Sequence, residues 1–224
     1  VIVISSNSPF GCNEINTQLF DESSPYNPYM NYGKSKEKME IFLKEKINAG
    51  LNITILRPPW FYGSNMPDRQ MRFYKMIING RFPLIGDGTN IRSQANVKNI
   101  TQAILLASVK EISNGKFYWI ADKENLNMNE IISVIKTVFE EEFSIKTKKN
   151  LPKIPFFVGQ IFEYLDRNLQ SMKIYSQAIH VLSEMNKNIA CDISLAVSEL
   201  DYDPKVNLYK GTMQAYRQHL DELK

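Results

Sequence analysis

Three side chains able to handle a proton stand in order near the start of this 224-residue chain: Ser6, Tyr32 and Lys36. Tyr32 and Lys36 are four residues apart, so on a helix they share one face. A lysine ammonium beside a phenol favours the phenolate, and such a tyrosine can act as general acid or base near neutral pH. The pair alone is weak: among 11 tyrosines, roughly one such spacing arises by chance. A surface tyrosine beside a solvated lysine is the bland alternative, and the neighbouring elements have to decide.

Residues 1–4 are a short β-branched apolar run closed by Ser5-Ser6-Asn7-Ser8-Pro9, the pattern of a parallel strand buried on both faces. Residues 32–48 carry Met39, Phe42, Leu43 and Ile47 at helical spacing, and Ala49-Gly50 ends the helix. Residues 52–56 form a second strand, running into Arg57-Pro58-Pro59-Trp60-Phe61-Tyr62-Gly63. Strand, helix, strand is one crossover of a doubly wound sheet, whose carboxyl edge is where ligands bind. Ser6 and the 57–63 segment both fall at that edge.

Further helices are predicted over 71–79 and 97–109, with the turn Gly86-Asp87-Gly88 between them, and a strand over 116–121. Asn127 caps a helix running through residue 139, with Glu130 completing a capping box. Beyond that only helices are expected, over 155–169, 174–185, 193–200 and 208–223. The fold class is therefore α/β: a doubly wound parallel sheet, Rossmann-like and represented by its later part, with a smaller mainly helical domain. Residues 1–63 and 97–122 are assigned to the sheet domain; residues 64–96 and 123–224 form the substrate-binding one.

Composition removes several classes. The net charge is only +3 and lysines alternate with acids, so nucleic acid is not an expected partner. Cys12 and Cys191 lie far apart without a CxxC or a nearby histidine, which argues against a disulfide framework or zinc and for a reducing cytoplasm. Neither His180 nor His219 has a ligand pattern around it, and no metal is expected. Glu140 to Glu142 reads as a solvated helix end, and the aromatic and Met content of 156–185 reads as core in preference to the wall of a ligand pocket. No apolar run approaches the roughly 20 residues of a spanning helix, so neither a membrane span nor a signal peptide is expected. The chain opens on Val1, inside a strand, as a truncated start would.

The blocks Ser5-Ser6-x-x-x-Phe10-Gly11, Pro28-x-x-x-Tyr32-Gly33-x-Ser35-Lys36 and Leu56-Arg57-Pro58-x-x-x-Tyr62-Gly63 resemble, in order and spacing, those of the extended short-chain dehydrogenases/reductases, the NAD-dependent epimerase/dehydratase family. Gly86-Asp87-Gly88-x-x-x-Arg92, Asn96-Val97-x-Asn99-Ile100 and Leu200-x-Tyr202-x-Pro204 extend the resemblance over essentially the whole chain. It implies an NAD(P)-dependent oxidoreductase that transfers hydride to or from a substrate alcohol or nucleotide sugar. Tyr32 would be the acid/base, and Lys36 would tune it and bind the nicotinamide ribose. Ser6 would hydrogen-bond the reacting oxygen, Pro59 would lie against the nicotinamide, and Ser8, Trp60 and Arg92 would contact substrate, Arg92 at a phosphate.

Two departures matter. Asn96 replaces an aromatic or His, and Asn99 an Asp, which blurs the nucleotide-sugar form of that block. No glycine-rich fingerprint is present, so the pyrophosphate site is missing and the chain alone is expected to be inactive, with NAD versus NADP undecided. Arg92 favours a nucleotide sugar; Trp60 and the aromatic helices favour a hydrophobic alcohol. The rival from another class is a non-catalytic dinucleotide-binding regulator or scaffold. A homodimer is compatible with either.

Overall fold

The computed structural model describes residues 1–13 and 18–222. In chain order the strands are β1 (Ile2–Ile4), β2 (Thr54–Arg57), β3 (Trp60–Tyr62), β4 (Leu84–Ile85), β5 (Ile91–Arg92), β6 (Gln94–Asn96), β7 (Phe117–Trp119), β8 (Leu126–Asn127) and β9 (Lys153–Ile154). The helices are α1 (Met30–Asn48), α2 (Asp68–Ile78), α3 (Val97–Val109), α4 (Met128–Phe143), α5 (Phe156–Ser171), α6 (Gln177–Glu184), α7 (Ser194–Leu200) and α8 (Leu208–Glu222). The fold is α/β, and the ladders β1-β2, β2-β7, β3-β6 and β4-β9 are parallel.

The chain forms two compact units. The first comprises residues 1–63, 92–125 and 188–207. Its centre is the parallel sheet β1-β2-β7, in register Val3↔Ile55 and Ile55↔Phe117. α1 connects β1 to β2, and α3 lies between β2 and β7 in sequence. β2 is wholly buried and is paired on both edges, with Ile55 and Leu56 in its middle. β1 departs from the expectation of burial on both faces: Val1 and Ile4 are exposed. Among the described residues it has a single ladder, to β2, and an edge strand covered on one side keeps some apolar surface outside.

Pro58 and Pro59 follow β2 directly and offer no amide hydrogen, so the ladder stops there and β3 pairs instead with β6. α3 spans the residues predicted for it, and its Ala103 and Ala107 pack on Leu56, Tyr118 and Ile120. Residues 188–207, expected with the helical part, belong to this first unit. Ala196, Leu200 and Tyr202 complete the cluster under α3, and Ile189 and Cys191 join Phe10, Phe20 and Trp119. Helical periodicity shows that α7 has an apolar side but not which core receives it.

The second unit comprises residues 64–91, 126–187 and 208–224, of which the last two are not described. α4 begins at the predicted capping box, with Asn127 and Glu130 bonding reciprocally at 2.9 and 2.8 Å. α2, α4 and α8 pack through an aromatic chain in which Phe139 lies 5.8 Å from Tyr74 and 4.5 Å from Tyr216. β4 and β9 form a short parallel pair, and α5 packs on α6.

The expected aromatic core over 156–185 is not found. Phe156, Phe157, Ile161, Tyr164, Leu165 and Tyr175 are exposed, and the buried residues of α5 are Gly159, Asp166 and Gln170. The two helices meet through polar groups, so the amphipathic period was right and its inward face was not. No helix among the described residues is long and apolar enough to cross a membrane.

Candidate active site

The carboxyl end of β1 leads into Ser5-Ser6-Asn7 and a single 3-10 turn over Ser8–Phe10. Ser6 Oγ accepts the backbone N–H of Ser8 at 3.0 Å, which fixes the side chain and leaves its O–H proton for another acceptor. The Ser8 carbonyl accepts the backbone N–H of Tyr29 at 3.2 Å, fastening the start of α1 to this loop. Gly33 is the contact residue. A Cβ there would lie 2.5 Å from the Ser8 oxygen, so only glycine lets the helix rest on that carbonyl. Gly33→Ala is therefore expected to push α1 off the loop and lower turnover of the whole protein by about 100-fold, since displacement near 1 Å costs that much. Steady-state kinetics with circular dichroism as a fold control checks it.

Tyr32 and Lys36 lie on the first turns of α1, as the four-residue spacing requires. Lys36 Nζ donates to the Ile4 carbonyl at 3.3 Å, two residues before Ser6, and sits 6.0 Å from the Tyr32 ring centroid. Tyr32 is 55% exposed. The ammonium is thus tied to the end of β1 with the phenol alongside, facing outward. Two residues before Tyr32, Met30 has φ +55°, a left-handed conformation that is costly for a non-glycine residue. Burial of the Met30 side chain helps hold it.

Pro59 is buried between the end of β2 and β3, and Trp60 is half-buried in β3. The Arg92 guanidinium carbon lies 6.0 Å from the Trp60 ring centroid, so these two proposed substrate residues are brought together. Ser8 is half-buried and uses its backbone as described above. Lys36 is thus tied to the β1 rim with Tyr32 beside it, and Trp60 with Arg92 form a second group around β3 and β5.

The sequence reading missed two buried arrangements that hold this rim. The first is an ion pair between Glu40 of α1 and Arg57 at the end of β2. Arg57 Nη2 donates to Glu40 at 2.7 Å, and both side chains are buried. Tyr26 donates its hydroxyl to the same carboxylate at 2.9 Å; burial first, then the Glu40 charge, pushes its pKa up to about 12. The Arg57 guanidinium lies 4.4 Å from the Phe10 ring centroid and 4.6 Å from that of Phe117. Glu40 follows Lys36 by four residues and Tyr32 by eight, so this pair clamps the helix that carries both to the strand beside β1. A charged residue on the inward face of a predicted helix was the available signal.

The second is Asp122, just past β7. It accepts from Tyr62 Oη at 2.7 Å, from the Asn96 backbone N–H at 2.8 Å and from Asn99 Nδ2 at 2.7 Å. Asn99 also donates to the Val206 carbonyl and accepts its N–H. Asn96 caps α3 by accepting the Lys98 N–H. The two asparagines that depart from the family block therefore anchor the start of α3 and the 204–206 segment to the sheet.

Burial raises the Asp122 pKa above the ordinary carboxylate value, against the three hydrogen bonds. A raised carboxyl favours folding most at acidic pH, and that contribution falls as pH rises through its folded value. Asp122→Asn is thus expected to be at least as stable as the parent at neutral pH. Asp122→Ala, which strands three donors, should lose about 1–3 kcal/mol in urea denaturation.

The nicotinamide end of a dinucleotide suits this rim, because an outward phenol and a fixed ammonium are the groups that a ribose and a reacting alcohol require. No glycine-rich turn for a pyrophosphate occurs in the sequence.

The chain is 47% identical over 216 residues to the Sinorhizobium fredii protein y4nL, covering 96% of this chain and 61% of that protein. It is 32% identical over 168 residues to an Escherichia coli O157:H7 N-acetyl-α-D-glucosaminyl-diphospho-ditrans,octacis-undecaprenol 4-epimerase, covering 73% of this chain and 48% of that one. The chain thus spans between about half and three-fifths of the length of these relatives.

Among solved structures, the UDP-glucose 4-epimerase of Thermotoga maritima superposes with a TM-score of 0.73 at 19% identity, over 100% of this chain and 64% of that one. The dTDP-glucose 4,6-dehydratase of Bacillus anthracis, in complex with NAD, gives 0.71 at 19% identity, over 98% and 61%. These two likenesses concern the fold. The model of the NAD dependent epimerase/dehydratase family matches residues 1–121, and the chain belongs to that family.

Proposed function

We propose that the protein carrying this chain oxidises a sugar hydroxyl with NAD or NADP, and that the 224 residues supply its proton-transfer and substrate-side groups. The observation that carries the reading is the Lys36 ammonium bonded to the Ile4 carbonyl at the β1 rim, with the outward Tyr32 phenol beside it. Lys36 holds Tyr32 as the phenolate and would reach the nicotinamide ribose; as the substrate carbinol loses hydride, the Tyr32 phenolate takes the hydroxyl proton and becomes the neutral phenol. Ser6 donates its O–H to the reacting oxygen. When bound, NAD or NADP would supply the hydride acceptor, and in an epimerisation the hydride donor as well, so that no net oxidation would result. Pro59 would lie against the nicotinamide, and Ser8 and Trp60 would line the substrate. The planar Arg92 fork suits a diphosphate.

The substrate class we infer is a hexose carried on a diphosphate, and specifically on a polyprenyl diphosphate. The relative at 32% identity is named for such a substrate, whereas the nucleotide-sugar enzymes compared above are alike only in fold. The test is to offer the whole protein a polyprenyl-diphosphate N-acetylhexosamine and a nucleotide-diphosphate one, and to analyse the sugar released from each product. Conversion of the lipid-linked sugar is expected, and conversion of neither would overturn the reading.

The 224 residues alone should show no saturable NAD binding by calorimetry, because most of the pyrophosphate's partners are backbone amides of a turn they do not contain. Saturable binding would contradict this.

A further inference from the structure

α5 and α6 are built inside out. Where they meet, the buried Asp166 carboxylate lies 2.7 Å from His180 Nδ1, accepts Gln170 Nε2 at 2.9 Å and accepts the Ser183 hydroxyl at 3.2 Å. Glu163 joins this interior through Lys187 at 2.6 Å. The opposite face of α5 presents Phe157, Ile161, Tyr164 and Leu165, spaced four, three and one residues apart and each between 42% and 68% exposed. Ile174 and Tyr175, in the turn leading to α6, are also exposed and directly follow Lys173. An apolar stripe of this size facing outward marks an interaction surface.

The charge beside it indicates the partner. Residues 146–153, which lead into α5, contain Lys146, Lys148, Lys149 and Lys153, all exposed, and no acid. The stretch is held in place by Lys148 N–H on the Ile78 carbonyl and by Lys136 Nζ on the carbonyls of Lys148 and Lys149. A basic strip adjoining exposed Phe, Tyr and Ile side chains matches a helix lying in the interface of an anionic bilayer. A second copy fits less well, because a two-fold contact sets the same patch against itself and would bring the two lysine strips together.

We propose that α5 and the 146–153 strip dock the protein on an anionic phospholipid surface, which would present a lipid-linked sugar diphosphate to it. The choice of a lipid surface rests in part on the substrate reading above.

The whole protein would be floated with vesicles of phosphatidylglycerol and phosphatidylethanolamine, and with vesicles of phosphatidylcholine alone. Binding to the anionic vesicles is expected to exceed binding to the neutral ones by at least about tenfold and to fall at high salt. The double variant Phe157→Gln/Ile161→Gln should lose about tenfold or more. Lys148→Gln/Lys149→Gln, which leaves the apolar stripe alone, should lose roughly 30-fold. Lack of binding to anionic vesicles, or binding unchanged in both variants, overturns the proposal. So does a concentration-dependent dimer that Phe157→Gln/Ile161→Gln abolishes.

Turnover of a polyprenyl-diphosphate N-acetylhexosamine dispersed in neutral detergent without vesicles, measured in parallel, separates the two readings. Vesicle binding without any turnover would sink the catalytic reading and leave the docking face standing. Turnover without vesicle binding would do the reverse.

Discussion

Replacing Tyr32 with phenylalanine is expected to lower kcat of the whole protein by about 10²- to 10⁴-fold, the usual contribution of a positioned acid/base. The ring is retained, and with it the contact to Lys36, whose anchor on the Ile4 carbonyl does not involve the phenol oxygen. Tyr32 is more than half exposed and carries little of the core, so the thermal transition should be unchanged. The variant therefore separates chemistry from folding. Unaltered turnover in Tyr32→Phe would remove the proton-transfer role and move the protein toward the regulator or scaffold reading.

The second large effect lies in the clamp. Arg57→Met leaves the Glu40 carboxylate, 0% exposed, without its counter-ion, and breaking a buried pair in this way costs about 3–5 kcal/mol. Glu40→Leu should cost a similar amount, because it strands a guanidinium that lies between the Phe10 and Phe117 rings, and takes the acceptor from the Tyr26 hydroxyl. The double variant Glu40→Leu/Arg57→Met, with no charge left to bury, is expected to be more stable than either single one. Urea denaturation of all four proteins decides: strictly additive losses would show that the two groups do not support each other. Because the pair fastens α1 to β2, the double variant should keep its fold but lose kcat more than it raises KM.

Legibility in the sequence followed the range of the forces involved. The capping box at Asn127 and Glu130 and the bounds of α3 depend on neighbours within a turn, and both were readable. The shared face of Tyr32 and Lys36 follows from helical spacing alone. Glu40 and Arg57 are 17 residues apart, and Asp122 meets Tyr62 across 60, so nothing local pointed to either contact. α5 shows the limit most clearly. Its period was visible, but its polar side found Asp166 a set of donors on α6, and a sequence does not say which side of an amphipathic helix will be satisfied from outside. The role of Gly33 became clear only once the Ser8 carbonyl was found beneath it.

The central claim is that hydride leaves a substrate carbinol at the β1 rim while Tyr32 takes the proton. It is tested most directly by tracing deuterium from that carbon in a single turnover of the whole protein. The account predicts that the label passes to the nicotinamide in the parent protein and does so about 10²- to 10⁴-fold more slowly in Tyr32→Phe. Loss of the label to solvent in the parent, with none on the nicotinamide, would contradict it.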